Sequence, residues 1–355
     1  MNTTTTAQAT TVPAWVQHHY GGPDAVVLGH RPIPTPGPDE VLVQVHATGL
    51  NAADARLMRG DPYLVRLGFG LARPKQPVRG MDVAGRITAV GAGVSGFAVG
   101  DEIVAETNGG GLAPLVVVPA KRLAHRPAGI SPEVAAVLPL AGGTALQALD
   151  LAGIGLVEEP GPGSESGSEA NAARRVLVIG ASGGVGTYAV QLARIRGAEV
   201  WALCGERSRQ IVEDLGAART FDYRQTVAQD LPPNTFDAII DIAGTAPLGA
   251  LHNLLRPGGT LAMVAGGGKV LGPIPRMLRA ALLRKRGGRR IRSLMAVAKP
   301  EALQELLALA EQGRLHPAIE RRYEFAEAAE ALAHIDSGRV VGKILVCAAR
   351  SDVEG

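Results

Sequence analysis

The hydrophobic pattern of the chain changes near residue 130 and again near residue 174. From residue 14 to about 125, short β-branched runs such as 41–49 alternate with Pro- and Gly-rich turns. This density of turns between short strands is typical of a compact, barrel-like all-β unit. Residues 131–154 are helical in pattern instead, with Ser131 as the predicted N-cap and Pro132 at the first helical position.

Beyond residue 174 the pattern predicts a second unit, in which strands and helices alternate. Its strands, such as 176–180 and 236–241, are continuous in apolar residues, which indicates a parallel sheet covered on both faces. A last strand at 343–348 needs a sheet partner and is expected to return to the β-rich unit. We therefore predict an α/β fold with the following parts: a β-rich domain in 1–138 with a frayed tail in 1–13, a parallel-sheet domain in 139–297 with a flexible loop at about 158–173, and a return to the β-rich domain in 298–355.

Composition narrows the classes of function. The 355 residues are 46% hydrophobic and 19% charged, with a net charge of +3 that is too small to argue for nucleic-acid binding. The two cysteines, Cys204 and Cys347, argue against a disulfide framework or a cysteine-based zinc site and favour a reduced, cytoplasmic setting. We expect neither a secretory signal nor a membrane span, because no apolar run approaches the roughly 20 residues required. Residues 276–292 hold eight cations and no acid. We interpret them as a helix with a solvated cationic face and expect no membrane contact.

The strongest chemical signal is a glycine-rich turn between an apolar strand and an amphipathic helix. Gly180, Gly183 and Gly186 follow the spacing G-x-x-G-x-x-G. In that context glycines let the backbone approach a pyrophosphate, and the helix N-terminus offers free N–H groups and positive potential. A turn without a ligand is the alternative, but the strand–turn–helix context argues against it. The predicted cofactor-binding residues of the turn are Ala181, Ser182, Gly183, Gly184, Val185 and Gly186.

The end of the next strand bears on which nicotinamide dinucleotide binds. NAD-binding units place an acid there for the ribose hydroxyls, whereas NADP-binding units favour cations. Here Gly205 is followed by Glu206, Arg207, Ser208 and Arg209. Two guanidiniums and a hydroxyl suit a 2′-phosphate, so Gly205, Arg207, Ser208 and Arg209 are predicted to bind NADPH. Glu206 lies near the NAD-type position, which leaves NADH as the alternative.

The order and wording of these segments resemble the zinc-free quinone oxidoreductase, or zeta-crystallin-like, branch of the medium-chain dehydrogenase/reductase superfamily. The resemblance runs from AWVQHHYGGPDAVVLGHRPIP to SGRVVGKILV, through GMDVAGRITAVG, LAGGTALQAL, the glycine-rich turn and LLRPGGTLAMVAGGG. It implies a GroES-like β-rich catalytic domain joined to a Rossmann domain, with the active site in the cleft between them. It also implies NADPH as the cofactor and a homodimer as the assembly.

The same resemblance implies which further residues line the cofactor cleft. Tyr223, in the segment FDYR, would contact the adenosine phosphate, and Thr144, in LAGGTALQAL, would lie near the nicotinamide. The backbone around Ala265 and Gly266 would line the same trough. Asn51, in the segment NAAD, would face cofactor and substrate.

Zinc-dependent relatives carry a Cys ligand where NAAD stands and a His–Glu pair where GMD stands. This chain has Asn51 at the first position and Met81 with Asp82 at the second. It also lacks the four-cysteine lobe that holds structural zinc, and its histidines show no paired ligand spacing apart from the adjacent His18 and His19. We therefore expect no catalytic metal.

Without a Lewis acid, hydrogen-bond donors or water must polarise the acceptor oxygen. This favours small apolar molecules that are already electrophilic, namely quinones, enones and conjugated aldehydes. Tyr63, in RGDPYL, is the candidate catalytic proton donor, with solvent as the alternative. Asp54 and Asp82 are interpreted as caps of local backbone N–H groups.

Two other functions stay open on the sequence alone. An enoyl-thioester reductase of a biosynthetic pathway would share the fold and the cofactor, and a non-catalytic NADPH-binding protein would share the cleft. A short-chain dehydrogenase is excluded, because none of the five tyrosines has a lysine four residues later.

Overall fold

The structure is a computed structural model that describes residues 11–155, 174–264, 272, 274–283 and 287–348. The expected loop at 158–173 lies outside these residues. Its strands are β1 (Thr11–Gln17), β2 (Val26–Pro32), β3 (Glu40–Leu50), β4 (Asp82–Val90), β5 (Glu102–Glu106), β6 (Leu115–Pro119), β7 (Leu123–His125), β8 (Arg175–Ile179), β9 (Glu199–Cys204), β10 (Arg219–Asp222), β11 (Phe236–Asp241), β12 (Leu255–Met263), β13 (Arg290–Ser293), β14 (Ile319–Tyr323) and β15 (Lys343–Cys347). Its α-helices are α1 (Ala52–Arg59), α2 (Arg66–Phe69), α3 (Pro132–Ala135), α4 (Pro139–Leu151), α5 (Gly184–Ile195), α6 (Arg209–Asp214), α7 (Leu248–Leu254), α8 (Ile274–Leu283), α9 (Pro300–Glu311) and α10 (Ala328–Asp336).

The β-rich unit is built around β3, whose β-branched residues are buried. β3 pairs with β4, β6 and β15, and the sheet runs in the order β14-β15-β3-β4-β5-β7. The last strand of the described chain, β15, thus lies antiparallel to β3. Residues 11–13, expected in a frayed tail, instead begin β1, which pairs with β2.

The second sheet has the order β10-β9-β8-β11-β12-β13, and all its neighbours are parallel. Residues 176–179 of β8 are all buried, as expected for a strand with helices on both faces. The chain reverses its direction of winding between β8 and β11. Ligands of such sheets bind in the crevice at that point, outside the carboxyl ends of the strands.

The helical pattern predicted over 131–154 forms two helices, α3 and α4. Ser131 caps α3, and its hydroxyl accepts from the Val134 N–H at 3.3 Å. Pro139 has no N–H with which to continue a helix from Ala135, so it begins α4 instead.

Hydrogen bonds join the β-rich unit to the glycine-rich turn and its helix. The buried Tyr188 hydroxyl on α5 donates to the Val137 carbonyl at 2.9 Å. The N–H of Gly342, which precedes β15, donates to the Ser182 carbonyl at 2.8 Å. The start of β15 therefore lies directly against the turn. Among the described residues, no helix is long and apolar enough to cross a bilayer.

Candidate active site

The glycine-rich turn connects β8 to α5, and its backbone is closely packed. A Cβ on Gly186 would lie 2.2 Å from the Gly180 carbonyl oxygen, so only glycine fits there. A Cβ on Gly183 would meet nothing nearer than that same oxygen, at 3.6 Å, so this position opens outward. The first N–H groups of α5 have no helical acceptors. The turn therefore has the free donors and the open approach that a pyrophosphate requires.

A cavity of about 530 Å³ lies beside the turn at the carboxyl edge of the parallel sheet. This volume is within the range of about 300–1,000 Å³ that is usual for small-molecule and cofactor sites. Its walls include the ends of four neighbouring strands and the loops that follow them: Gly180, Ser182, Cys204, Tyr223, Ala243 and Thr245. The cavity adjoins the turn at Gly180 and Ser182.

Several cations lie around Gly205, next to Cys204 and Tyr223 of the cavity wall. A Cβ on Gly205 would lie 3.4 Å from Cε1 of Tyr223 and 3.9 Å from Nη1 of Arg224. The Arg224 guanidinium lies 5.1 Å from the centre of the Tyr223 ring. Glu206, whose position in the sequence favours NADH, is ion-paired with Arg209 at 2.6 Å. Sequence reasoning missed Arg224, although it directly follows Tyr223.

The other predicted residues of this region differ in exposure. Ser208 is buried at the start of α6, which leaves its hydroxyl less accessible than expected. Arg207 is exposed and donates to the Arg339 carbonyl. In the part of the chain that the structure describes, neither Arg207 nor Arg224 is ion-paired with a carboxylate.

Helix α4 packs against α5, the helix that follows the turn. Thr144 is 8% exposed and lies one turn after Leu140 on α4. Ala181 is fully buried in the turn. Ala265 and Gly266, which were expected to line the trough, lie outside the described residues.

Asn51, Asp82 and Lys343 form a buried polar cluster behind the turn. Asn51 Nδ2 donates to Asp82 Oδ2 at 2.8 Å, and Lys343 Nζ donates to Asn51 Oδ1. Lys343 Nζ also lies 3.5 Å from Asp82 Oδ2, and the Leu140 N–H donates to Asp82 Oδ1 at 3.1 Å. The Asn51 amide is therefore buried and hydrogen-bonded to Asp82 and Lys343, and its expected place facing cofactor and substrate stays a prediction. Asp82 is a member of this cluster and not simply a cap of a local turn.

The donors around Asp82 favour its ionised form. Burial raises the pKa of Asp82 and lowers the pKa of Lys343, and each charge opposes the shift of the other. Both oxygens of Asp82 face N–H donors, and the Asn51 oxygen that faces Lys343 can only accept. We therefore describe the pair as a carboxylate and an ammonium. The Lys343 stem also lies against the turn, 3.2 Å from the place of a Cβ on Gly184.

Two further candidates lie in different settings. Asp54 is buried and accepts from the N–H groups of Asn51 and Gly80, at 2.9 and 2.8 Å, which fits the interpretation as a cap. Burial raises its pKa to about 6. Tyr63 is 55% exposed, and its ring lies under the Arg66 guanidinium at 4.6 Å. The structure does not bring the Tyr63 hydroxyl to the buried cluster.

Glu106, at the end of β5, was not singled out by its sequence pattern. It lies opposite Asp82 in the β4–β5 register, and its side chain is only partly buried. Burial and the nearby Asp82 charge raise its pKa to about 7. A carboxyl group with this pKa can hold or release a proton near neutral pH.

The residues at the zinc positions do not fit a zinc ion. The Lys343 ammonium contacts both Asn51 and Asp82, and a metal cation held by these two residues would have to displace it. Throughout the described ranges, no three His, Cys, Asp or Glu side chains are grouped closely enough to hold a metal.

Comparison with known families and proteins identifies relatives over almost the whole chain. Residues 37–128 match the family model of the alcohol dehydrogenase GroES-like domain, and residues 215–346 match that of zinc-binding dehydrogenases. The chloroplast envelope quinone oxidoreductase homolog of Arabidopsis thaliana is 33% identical over 341 residues, covering 92% of this chain and 95% of that protein. The mitochondrial NAD(P)H oxidoreductase RTN4IP1 of Danio rerio is 30% identical, covering 96% and 92%. Those names place the relatives in organelles, so a cytoplasmic location for this chain stays a prediction.

Solved structures with the same fold include reductases with different acceptors. The quinone oxidoreductase of Coxiella burnetii superimposes with a TM-score of 0.81 at 24% identity, covering 95% of this chain and 99% of that one. The Escherichia coli quinone oxidoreductase, solved with NADPH, gives 0.75 at 22%, covering 95% and 100%. The CurK enoyl reductase gives 0.77 at 23%, covering 95% and 99%. At these identities the likeness shows the fold alone.

Proposed function

This chain belongs to the quinone oxidoreductase branch of the medium-chain dehydrogenase/reductase superfamily, and from that premise we propose an NADPH-dependent, zinc-independent reductase of quinones, enones or conjugated aldehydes. It is an oxidoreductase with a nicotinamide cofactor. The cofactor assignment is supported by the glycine-rich turn and the cavity beside it. The turn leaves room for a ligand at Gly183 and is closely packed at Gly186.

The charges around Gly205 favour NADPH over NADH. Arg207 and Arg224 keep their charges uncompensated by carboxylates of the described residues, and a 2′-phosphate would supply the missing anion. Glu206 is already engaged by Arg209, so it is a poorer acceptor for two ribose hydroxyls. The Tyr223 ring beside Arg224 would form one wall of the same phosphate site.

Bound NADPH would supply the hydride, and the chain would supply position and polarity. The turn would hold the pyrophosphate, and α4 with Thr144 would lie near the nicotinamide end. The buried Asn51–Asp82–Lys343 cluster would keep the turn and the β-rich unit at a fixed separation, because Lys343 touches both. The Lys343 ammonium contacts Asn51 and Asp82, which stand where zinc-dependent relatives carry ligands. Acceptor activation would therefore not depend on zinc.

Measuring NADPH and NADH consumption against matched quinone, enone, conjugated-aldehyde and enoyl-thioester acceptors tests the proposal. We expect NADPH to be preferred at least about tenfold in kcat/KM, because a charge-assisted hydrogen bond is worth about 1.5–3 kcal/mol. Equal or faster use of NADH would refute the cofactor assignment. Turnover of enoyl thioesters alone would favour the biosynthetic reductase instead.

Substitution of two arginines, one on β10 and one in the turn that follows it, tests where the 2′-phosphate of NADPH binds. Arg224→Gln should weaken NADPH binding about 10–100-fold and leave NADH binding unchanged. Arg219→Gln is the matched control, since Arg219 lies at the opposite end of β10 and stacks on Trp201. Equal losses for both cofactors in Arg224→Gln would contradict the assignment.

Dialysis against a chelator should leave the rate unchanged, and size-exclusion chromatography with light scattering should give a homodimer.

A further inference from the structure

Glu106 lies beside the buried cluster and, unlike the members of that cluster, reaches the surface. Asn51, Asp82 and Lys343 are each at most 5% exposed, so neither water nor substrate can reach them readily. Glu106 is partly exposed at the end of β5. It accepts no hydrogen bond and forms no ion pair within the residues that the structure describes. A half-buried carboxyl group without a protein partner is free to meet a ligand.

The strand register fixes where this carboxyl group points. Asp82 and Glu106 are directly opposite in the antiparallel β4–β5 pair, so both side chains lie on the same face, with Cβ atoms about 5 Å apart. On that face Asp82 binds the first turn of α4 through the Leu140 N–H. The Lys343 stem connects the same place to Gly184 of the glycine-rich turn. Glu106 therefore lies on the side of the sheet where the cofactor turn and α4 meet.

We propose that Glu106 is the catalytic proton donor of this reductase, a role that rests on the proposed function. The acceptor takes a hydride from the reduced nicotinamide at one atom and a proton from the Glu106 carboxyl group at another. The Glu106 O–H bond breaks as the new O–H or C–H bond forms, giving hydroquinone or saturated carbonyl product, oxidised cofactor and the Glu106 carboxylate. Water then returns the proton to Glu106.

The charges around Glu106 keep the acid available near neutral pH. Burial and the Asp82 carboxylate on β4 raise its pKa to about 7, while Arg122 and Lys343 act in the opposite direction. Helix α4 adds no charge there, since its one charged residue, Asp150, lies at its other end. The acid form is present below about pH 7 and is lost above it, so kcat should fall as the pH rises through that value.

The test compares wild type, Glu106→Gln and Glu106→Asp. Glu106→Gln should lower kcat by about 10²-fold or more and abolish the alkaline fall in the pH profile, with NADPH binding unchanged. Glu106→Asp should keep the alkaline fall in the pH profile, but with a lower kcat than wild type. Glu102→Gln is the matched control: it removes a carboxylate four residues away on β5, one that is already ion-paired with Arg126 at 2.8 Å, and it should keep the wild-type profile.

Infrared difference spectroscopy of the cofactor-free protein gives a second readout. A protonated carboxyl band should disappear as the pH rises through about 7, and Glu106→Gln should lack that band. If wild type turns over but Glu106→Gln keeps its rate and pH profile, or if the band is the same in both proteins, the donor role is refuted. If wild type does not oxidise NADPH with any of the acceptor classes, the proposed function is refuted, and the donor role that rests on it is refuted as well.

Discussion

Replacing Lys343 by Met should destabilise the protein. Lys343 is 2% exposed and Asp82 is fully buried, so losing the ammonium leaves the carboxylate in the interior without its counter-charge. Breaking a buried pair in this way costs about 3–5 kcal/mol. Asn51 and Leu140 still donate to Asp82, which places the expected loss at the lower end, at about 3 kcal/mol. Met keeps an unbranched stem against Gly184, so lost packing contributes little.

The loss of stability in Lys343→Met should be larger at high pH. Burial raises the pKa of Asp82, and Lys343 opposes that rise. In Lys343→Met the folded-state pKa of Asp82 rises further, while the unfolded value stays at about 3.9. Between the two values the folded state binds more protons, so the free energy of unfolding falls as the pH rises through that window. Urea unfolding at about pH 5 and about pH 8 measures the difference.

A second variant separates charge from packing. Asp82→Asn combined with Lys343→Met removes both charges, and it should recover at least half of the loss, because replacing a whole buried pair by neutral groups is often nearly neutral. A loss below about 1 kcal/mol in Lys343→Met at high pH would refute the ionised pair. The same loss at both pH values would refute it as well.

Four other substitutions test the packing of the turn and the placement of two tyrosines. Gly186→Ala should cost about 1–3 kcal/mol in urea unfolding, because its Cβ would lie 2.2 Å from the Gly180 oxygen, whereas Gly183→Ala should stay within about 0.5 kcal/mol of wild type. Tyr63→Phe should keep kcat within about twofold at saturating NADPH, since the ring is exposed and stacked under Arg66; a larger fall would restore Tyr63 as proton donor. Tyr188→Phe should lose about 1–2 kcal/mol, because the Val137 carbonyl loses its buried donor, and an unchanged urea midpoint would contradict this.

The parallel sheet and its turn could be predicted from the sequence because their signals are local. An apolar strand, a glycine-rich turn and an amphipathic helix follow each other within 176–195, and the physical reason for each residue lies within that segment. The basic segment 276–292 was less informative. We expected one helix there, but residues 276–283 lie in α8 and residues 290–292 lie in the edge strand β13.

The buried cluster could not be predicted because its members are far apart in sequence. Asn51 and Lys343 are 292 positions apart and meet only because β15 pairs with β3. The local pattern favoured a capping role for Asp82, because Asp in turns commonly caps nearby backbone N–H groups. Glu106 gives no local signal either, since its meaning comes from the register with β4.

The cluster also bears on which acceptors this site can reduce. The Lys343 charge is compensated by Asp82, and the ammonium is 2% exposed, so it cannot approach an acceptor oxygen as a Lewis acid would. Polarisation must then come from a neutral donor, and a carboxylic acid at Glu106 gives its proton only as negative charge develops on the acceptor. Such a donor is most effective when the acceptor already stabilises that charge by conjugation. With Glu106 as the proposed donor, this arrangement would favour quinones and enones over saturated ketones, and it would let the reaction proceed without a metal.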